Sequence, residues 1–290
     1  CSGLFSNHNH IVIYDLTNMY FEGMMKRSNK AMFGRSKEKR SDCRLIGLSL
    51  AIDSLGFFRH SQFYPGNISE PSTLQDIISK LRGKLQLKDE KPVITMDAGI
   101  ASDENLAMLK TEGYDYVSVS RSKPKGYIRQ SEKVLSVEDN TGSTIEIEKV
   151  TLPGQDDTFL RVKSTNKGKK EASIDEKLTQ RFEQRLAYVR EGLDKPRRLK
   201  KITPVHEHIG RLKDQFSSVA KHYTINYSED REKDLVKDIT WTRNTEKEKP
   251  KGEYFLRYSK KYLTEEDIWY VYNLTREVEA SFRCLKNDLD

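Results

Sequence analysis

The segments Ile11-Val-Ile-Tyr14-Asp15 and Pro92-Val-Ile-Thr-Met96-Asp97 decide the fold, because each is a short apolar run with an aspartate directly after it. Short β-branched runs that alternate with helical patterns are typical of strands in an α/β sheet. If the two strands lie side by side and parallel, both carboxylates leave the same edge of the sheet, where α/β folds place their chemistry. An aspartate after a strand also commonly begins a turn, so for each residue alone both interpretations stay open.

The chain around these two strands predicts the order strand, hairpin, helix, strand, helix and strand. A basic stretch from Lys26 to Arg44 is predicted to be a loop. The other elements predicted in the first third are a hairpin over Leu45 to Asp53 and Phe57 to Tyr64, a helix capped by Ser72 or Thr73 that runs to about Leu85, a helix that begins at Ser102 and is closed by Gly113, and a strand over Tyr114 to Val119.

From about Arg121 to Arg243 the chain becomes Lys-rich, which indicates an inserted region. The elements predicted there are alternating segments over Thr144 to Val150 and Thr158 to Val162, a charged helix from Ile174 to about Glu191, and linkers or phosphate-facing loops at Gly168-Lys-Lys170 and Lys195 to Lys201. A charge run is more often a solvated surface, and that alternative stays open. Gly252 to Tyr258 is predicted to be the last strand, and Thr264 begins a final helix.

The composition allows one large or two ordinary domains, with 290 residues of which 36% are hydrophobic and 33% charged. Lys and Arg number 51 against 44 Asp and Glu, and the net charge of +7 favours a polyanionic partner, nucleic acid ahead of an anionic membrane. Three separated cysteines without a C-x-x-C pair favour a reducing compartment. We expect no membrane span and no signal peptide and, because the chain begins at Cys1, an excerpt of a longer reading frame.

The last predicted helix carries a third carboxylate at the border of its buried face. Seven residues turn a helix by about 700°, so Tyr272, Glu279 and Lys286 fall on one stripe. The neighbouring apolar stripe is formed by Val271, Val278, Phe282, Leu285 and Leu289. Glu279 is therefore held beside the core. The alternative is a set of ordinary helical salt bridges to Arg276 and Arg283, which helix geometry alone favours.

Several short motifs occur in a specific order along most of the chain. They are Tyr14-Asp15-Leu-Thr17-Asn-Met-Tyr20-Phe21, Gly34-Arg-Ser-Lys37, Phe63-Tyr-Pro-Gly-Asn67, and the stretch from Asp97-Ala-Gly99 to Arg121. Together with Tyr272, Glu279 and Lys286, they resemble the DDE transposases of bacterial insertion sequences, whose catalytic core is RNase H-like. One large branch of that family has Tyr, two residues, Arg, three residues, Glu, six residues and Lys. The arginine position is Thr275 here, with Arg276 beside it as a substitute.

The resemblance implies an α/β fold, an RNase H-like mixed sheet with flanking helices that is interrupted by a strand-containing α+β insertion. The first part of the catalytic core would cover residues 1–121, the insertion 122–244, and the last strand with the Glu helix 245–290. In such relatives the insertion contacts transposon-end DNA and can hold a displaced base with an aromatic side chain. Trp241 is the candidate for that contact, and simple core packing is the alternative.

The resemblance also implies that Asp15, Asp97 and Glu279 are the catalytic residues and the ligands of two Mg²⁺ or Mn²⁺ ions, with Asp15 bridging and the other two flanking. The Lys26 to Arg44 loop would extend the track of phosphate contacts. The DNA-binding residues that we expect are Arg121, Tyr272, Arg276, Arg283, Lys286 and Trp241.

The implied function is that of a DNA transposase, which cleaves transposon-end DNA and transfers the strand by in-line phosphoryl transfer. The expected partners are double-stranded DNA of the transposon ends and the target, and a second copy of the chain in a homodimer on DNA. We expect a cytoplasmic, nucleoid-associated protein of a bacterium or archaeon that does not engage a membrane. Two alternatives stay open, a degenerate or truncated core that binds DNA without cutting it and a free-standing RNase H-like nuclease.

Overall fold

The structure, a computed structural model, describes residues 11–84, 91–130, 133–139, 141–154, 157–246, 250–260 and 262–288. The chain divides into two compact units. The core unit consists of Cys1–Lys163 and Tyr254–Asp290, and the inserted unit is Ser164–Glu253. The predicted insertion of 122–244 therefore begins and ends at other residues than the inserted unit.

Ten of the strands in the described residues form one mixed sheet, in the order β3-β2-β1-β4-β5-β12-β9-β8-β6, with β7 paired to β8. The strands are β1 Ile11–Phe21, β2 Arg44–Asp53, β3 Phe58–Pro65, β4 Val93–Met96, β5 Asp115–Val119, β6 Ile128–Arg129, β7 Leu135–Glu138, β8 Thr144–Thr151, β9 Thr158–Ser164, β10 Tyr223–Asp230, β11 Leu235–Arg243 and β12 Glu253–Tyr258. Strands β6 to β9, which were expected within the insertion, extend the sheet of the core unit instead.

Strand β1 is longer than its apolar run, and this changes the position of Asp15. Its parallel pairing with β4 covers only Ile11 to Tyr14, but its antiparallel pairing with β2 continues to Phe21. The prediction that the strand ends before Asp15 is therefore wrong, because backbone hydrogen bonds to β2 hold the polar residues in the sheet. Asp97 does follow β4 directly, as predicted.

Helices cover both faces of this sheet. In the core unit they are α1 Leu74–Lys84, α2 Asp103–Thr111, α6 Glu265–Asn273 and α7 Thr275–Arg283, with a 3₁₀ turn at Glu70–Thr73 and a π turn at Cys284–Asp288. Ser102 caps α2 by accepting a hydrogen bond from the Asn105 N–H, and Thr264 forms a capping box with Asp267. Both helix starts confirm the predictions. Ser72 and Thr73 lie in the 3₁₀ turn rather than at a cap.

The predicted final helix is divided at Leu274 into α6 and α7. The Thr275 hydroxyl donates to the Tyr272 carbonyl at 2.7 Å, and the Asn273 amide donates to the Trp269 carbonyl at 2.7 Å. Such side chains compete with the backbone for helical hydrogen bonds and bend helices. The stripe at seven-residue spacing was predicted for one straight helix. The break therefore separates Tyr272 from Glu279 and Lys286.

Alternation along β1 assigns its side chains to two hydrophobic layers. Ile11 and Ile13 belong to a cluster with residues of α6 and α7, whereas Val12 and Tyr14 belong to a cluster with residues of α1 and α2. The apolar stripe predicted for the last helix is buried at Val271, Val278 and Phe282 and packs at Leu285, and Leu289 lies outside the described residues. Asp15 has the parity of Ile13 and so faces the layer of α6 and α7.

The inserted unit packs three helices, α3 Thr165–Gly192, α4 Ile202–Gln215 and α5 Ser217–Ala220, against the hairpin of β10 and β11. Gly168-Lys-Lys170 lies inside α3, so the prediction of a linker there is wrong. Gly168 packs close to the backbone of Gly252, a contact that suits a residue without a side chain. The Ser164 N–H donates to the Gly252 carbonyl at 2.9 Å, so the two ends of the unit are joined.

The mixed sheet with flanking helices and the α+β inserted unit confirm the predicted fold class. Among the described residues, no helix has the length and apolar character that crossing a membrane requires.

Candidate active site

Asp15 lies within β1 and is partly buried on the side of the sheet that faces α7. Its Oδ1 accepts a hydrogen bond from the Leu16 N–H at 2.7 Å. Burial raises the pKa of Asp15 to about 6, and the carboxylates of Asp97 and Glu70 add to this effect, whereas the Lys37 ammonium opposes it. The fold thus keeps Asp15 buried and close to other carboxylates, which disfavours its charged form.

Asp97 is exposed and begins the turn that follows β4. Its Oδ1 accepts from the Ala98 N–H at 2.6 Å. The Arg121 guanidinium donates from Nε to the Ala98 carbonyl and from Nη2 to the Gly99 carbonyl, both at 2.6 Å. Arg121, predicted as a DNA contact, therefore holds the turn that presents Asp97.

Glu279 lies on α7 between the buried Val278 and Phe282, and its carboxylate lines the same cavity as Asp15 and Asp97. This cavity has a volume of about 250 Å³. The structure thus brings together the three predicted catalytic carboxylates, one from inside a strand, one from a strand end and one from a helix.

The alternative of helical salt bridges is not realised at Glu279. Within the described part of the chain, neither Arg276 nor Arg283 lies within ion-pair distance of its carboxylate. Both arginines are exposed. A carboxylate that lines a cavity with two others and forms no ion pair with the arginines of its own helix is available as a ligand.

Tyr272 and Thr275 line the carboxylate cavity beside Glu279. Burial raises the pKa of Tyr272, and the neighbouring phenol of Tyr254 and the charges of Asp97 and Glu279 add to it, so the phenol remains a hydrogen-bond donor at neutral pH. Thr275, in the family's arginine position, supplies no charge, and Arg276 is exposed on the helix.

Two of the other predicted DNA contacts have defined surroundings. Lys286 forms an ion pair with Glu38 at 3.2 Å, so its charge is already partnered. Trp241 lies on β11 opposite Ile225, and it is partly buried against the core of the inserted unit. This position matches the packing alternative for Trp241 and leaves part of its ring accessible.

Two residues next to the carboxylates were not assigned a role from the sequence. Lys37 lines the carboxylate cavity, donates from Nζ to the Leu16 carbonyl at 2.7 Å and lies 3.7 Å from Glu70 Oε1. Glu70 lies against Gly99, where an added Cβ would collide with its carboxylate. The Gly34 to Lys37 motif was a signal for Lys37, but no pattern marked Glu70, because its position depends on the 3₁₀ turn after the hairpin.

The donor set of the cavity fits a hard divalent cation, since Asp15, Asp97 and Glu279 offer only carboxylate oxygens. Burial, and the nearby carboxylates of Asp97 and Glu70, raise the pKa of Asp15 more than the Lys37 ammonium lowers it. Among the described residues, no group of three His, Cys, Asp or Glu side chains is close enough to hold a metal ion. The residues thus fit Mg²⁺ or Mn²⁺ by their chemistry, with the carboxylates further apart than a coordinated set.

A mixed sheet with one aspartate on β1, one directly after the parallel strand β4 and a glutamate on a helix packed against the sheet is typical of the class of RNase H-like polynucleotidyl transferases. Within that class, the chain belongs to the family described as the transposase DDE domain, which matches residues 10–290. This membership confirms the family that the sequence motifs resemble.

Two solved transposase structures are similar to parts of the chain. A piggyBac transposase synaptic complex with hairpin DNA is 16% identical, with a TM-score of 0.30 over 49% of this chain and 30% of that one. A Mos1 transposase paired-end complex with the left transposon end is 15% identical, with a TM-score of 0.28 over 39% of this chain and 36% of that one. The chain thus spans about a third of the length of each. No curated protein matches it.

Proposed function

We propose that this chain is the catalytic region of a DNA transposase that cleaves transposon-end DNA and joins the freed strand to target DNA by in-line phosphoryl transfer. The observation that carries the proposal is the convergence of Asp15, Asp97 and Glu279 on one cavity in a chain of the transposase DDE family. Catalysis of phosphoryl transfer rests on positioning and on neutralising charge, and both require a fixed cluster of this kind.

Asp15, Asp97 and Glu279 would hold Mg²⁺ or Mn²⁺, and we propose two ions. When bound, such ions activate the attacking oxygen and stabilise the leaving oxygen of an in-line displacement. The chain's own contribution is to hold the carboxylates in place, through β1, through the turn bound by Arg121 and through α7. Without a cation the carboxylates raise one another's proton affinity, and because protons compete with the metal, metal should bind weakly until DNA is present.

The Tyr272 phenol is a protonated donor at the wall of the cavity, and we propose that it orients a phosphate or an attacking oxygen there. Arg276 and Arg283 are exposed on α7 and free to contact the DNA backbone. Lys286 would exchange Glu38 for a phosphate, and Arg121 adds its charge while its N–H groups hold the turn. We keep Trp241 as a base contact of the inserted unit.

The proposed partners are double-stranded DNA of the transposon ends and the target, and a second copy of the chain in a homodimer on that DNA. The net charge of +7 supports a polyanionic partner, and the binding should weaken steeply with salt. A cytoplasmic, nucleoid-associated location follows from such a partner.

The test is incubation of the full chain with labelled DNA ends of its own element and Mg²⁺, with Asp97→Asn and the matched Asp103→Asn as variants. Asp103 is an exposed aspartate in the first turn of α2, outside the carboxylate cavity. Cleavage that Asp97→Asn abolishes and Asp103→Asn retains supports the proposal. Binding without cleavage would indicate the degenerate core, and cleavage without preference for the ends would indicate a general nuclease.

A further inference from the structure

A groove of about 750 Å³ in the core unit adjoins the carboxylate cavity. Thr17 and Lys37 line both spaces, so the groove and the carboxylate cavity lie next to each other. Its floor is the outer part of β1, and its walls are the Gly34 to Lys39 segment and the turn at Gly66 to Pro71. A ligand in the groove would therefore lie beside the carboxylate cavity.

The charge of the groove is strongly one-sided. Among its described lining residues, four are cationic, Arg35, Lys37, Lys39 and Arg121, and one is acidic, Glu70. Most of the other lining residues are small or polar, which does not suit an apolar ligand. A cationic groove with hydroxyl and amide groups matches a phosphodiester backbone.

The side chains of two of these cations make no ion pair or hydrogen bond within the described part of the chain. The side chains of Arg35 and Lys39 are exposed, and no carboxylate of the described residues lies within ion-pair distance of either. Lys37, in contrast, is bound to the Leu16 carbonyl and lies near Glu70. The unbound charges of Arg35 and Lys39 therefore lie along the groove, whereas Arg121 and Lys37, the latter at the junction with the carboxylate cavity, are bound to backbone carbonyls.

The wall that carries these cations is built in advance. The Asn18 amide donates to the Arg35 carbonyl at 2.8 Å, and the Lys37 N–H donates to Asn18 Oδ1 at 3.4 Å. Gly34 packs so closely on the Gly66 carbonyl that any side chain at residue 34 would collide with it. A preformed wall lowers the entropy cost of binding an extended ligand.

We propose that this groove binds the sugar-phosphate backbone of the DNA strand that enters the carboxylate cavity, with Arg35 and Lys39 as direct phosphate contacts. The proposal rests on the proposed function and specifies the path of its substrate. Lys37, at the junction, would lie beside the phosphate next to the reacting one. An acidic peptide is the other polyanion that such a groove could take, but the neighbouring carboxylate cavity, for which we propose phosphoryl transfer on DNA, favours the DNA strand.

The test measures binding of the full chain to a fluorescent DNA duplex with a single-stranded end, as a function of salt and in EDTA. The Arg35→Gln/Lys39→Gln variant should bind about tenfold more weakly, and its slope of log affinity against log salt should be smaller by about 1.4–1.8, the value for two lost phosphate contacts. The control is Lys80→Gln/Arg82→Gln, which removes two charges from α1, outside the groove, where they pair with Asp76 and Glu112. The control should leave the slope within about 0.5 of the native one.

An equal loss in both variants would overturn the proposal, because net charge alone would then explain binding. An unchanged slope in Arg35→Gln/Lys39→Gln would also overturn it, and so would displacement of the DNA by polyglutamate at equal charge concentration. Because binding is measured in EDTA, the result does not depend on cleavage. If the native chain cleaves DNA but the variant keeps the native salt slope, the groove proposal is refuted and the proposed function stands. If the variant has a smaller slope but the native chain does not cleave DNA, the proposed activity is refuted and the groove proposal stands.

Discussion

Asp15 and Asp97 stand on neighbouring parallel strands, yet the fold fixes their carboxylates by different means. Asp15 is partly buried inside a strand that β2 extends, and its pKa is raised to about 6. Asp97 is exposed at a strand end, in a turn that the Arg121 guanidinium holds by two carbonyls. The sheet therefore positions Asp15 at the cost of burying its charge, whereas hydrogen bonds from the Arg121 side chain position Asp97.

The most severe way to probe this comparison is to neutralise each carboxylate in turn. Asp15→Asn and Asp97→Asn should each lower the rate of DNA cleavage by about 10³-fold or more, because each removes one ligand of the same cluster. Single-turnover cleavage of labelled ends measures the effect. If one variant retained near-native cleavage, that carboxylate would not belong to the reacting set.

A more selective change removes the clamp on Asp97 and leaves Asp15 untouched. Arg121→Ala should lower the cleavage rate by about 10²-fold, because the turn can shift the carboxylate by an ångström. Arg121→Lys keeps the charge but loses the two-pronged hydrogen bonding and should recover only part of the rate. Measurement of DNA affinity separates the explanations, since Arg121→Lys should bind DNA like the native chain. If Arg121→Lys lost as much DNA affinity as cleavage rate, Arg121 would act mainly as a DNA contact and not through the turn that holds Asp97.

The cost of burying Asp15 predicts a pH-dependent effect on stability. The folded pKa lies above the usual value of 3.8, so the unfolded chain loses this proton first, and stability falls as the pH rises from about 4 to 6. Asp15→Asn should therefore stabilise the metal-free protein by about 1–3 kcal/mol at pH 8 and hardly at all at pH 4. Urea unfolding in EDTA at both pH values measures this.

The control for that experiment is Asp97→Asn, in which the exposed carboxylate should leave the free energy of unfolding within about 0.5 kcal/mol at both pH values. A destabilisation by Asp15→Asn at pH 8 would contradict the inference that burial disfavours the charged form of Asp15.

The smallest expected effect concerns the break that separates Tyr272 from Glu279. Thr275→Ala removes the hydroxyl that bonds the Tyr272 carbonyl and should change the free energy of unfolding by less than about 0.5 kcal/mol. Cleavage should change by less than about threefold, since Thr275 brings no charge to the cavity. A large loss of activity would show that the break itself positions Glu279.

Local signals in the sequence were enough to predict several elements. The caps at Ser102 and Thr264, the hairpin of β2 and β3 and the aspartate after β4 are each encoded within a few residues, and the structure confirms them. The family motifs added the Glu279 helix, which no strand pattern could connect to the first third of the chain. The three carboxylates could thus be chosen from the sequence.

Other features depend on partners that lie far along the chain. The extension of β1 through Asp15 depends on pairing with β2, and the role of Arg121 depends on carbonyls that lie more than twenty residues before it. The Gly168 segment was predicted to be a linker, but Gly168 lies inside α3, where it packs against the backbone of Gly252. Glu70 reaches the site only through a 3₁₀ turn. Periodicity indicates which secondary structure a segment can form, but these positions depend on tertiary contacts with distant parts of the chain.

The hydrogen bond from the Ser164 N–H to the Gly252 carbonyl joins the points where the inserted unit begins and ends. These points lie at β9 and β12, which are adjacent strands of the sheet. In topological terms the inserted unit occupies the connection between two neighbouring strands, so its length can change without altering the strand order of the sheet. The carboxylates would keep their places on β1, after β4 and on α7 while the inserted unit changed in length or sequence.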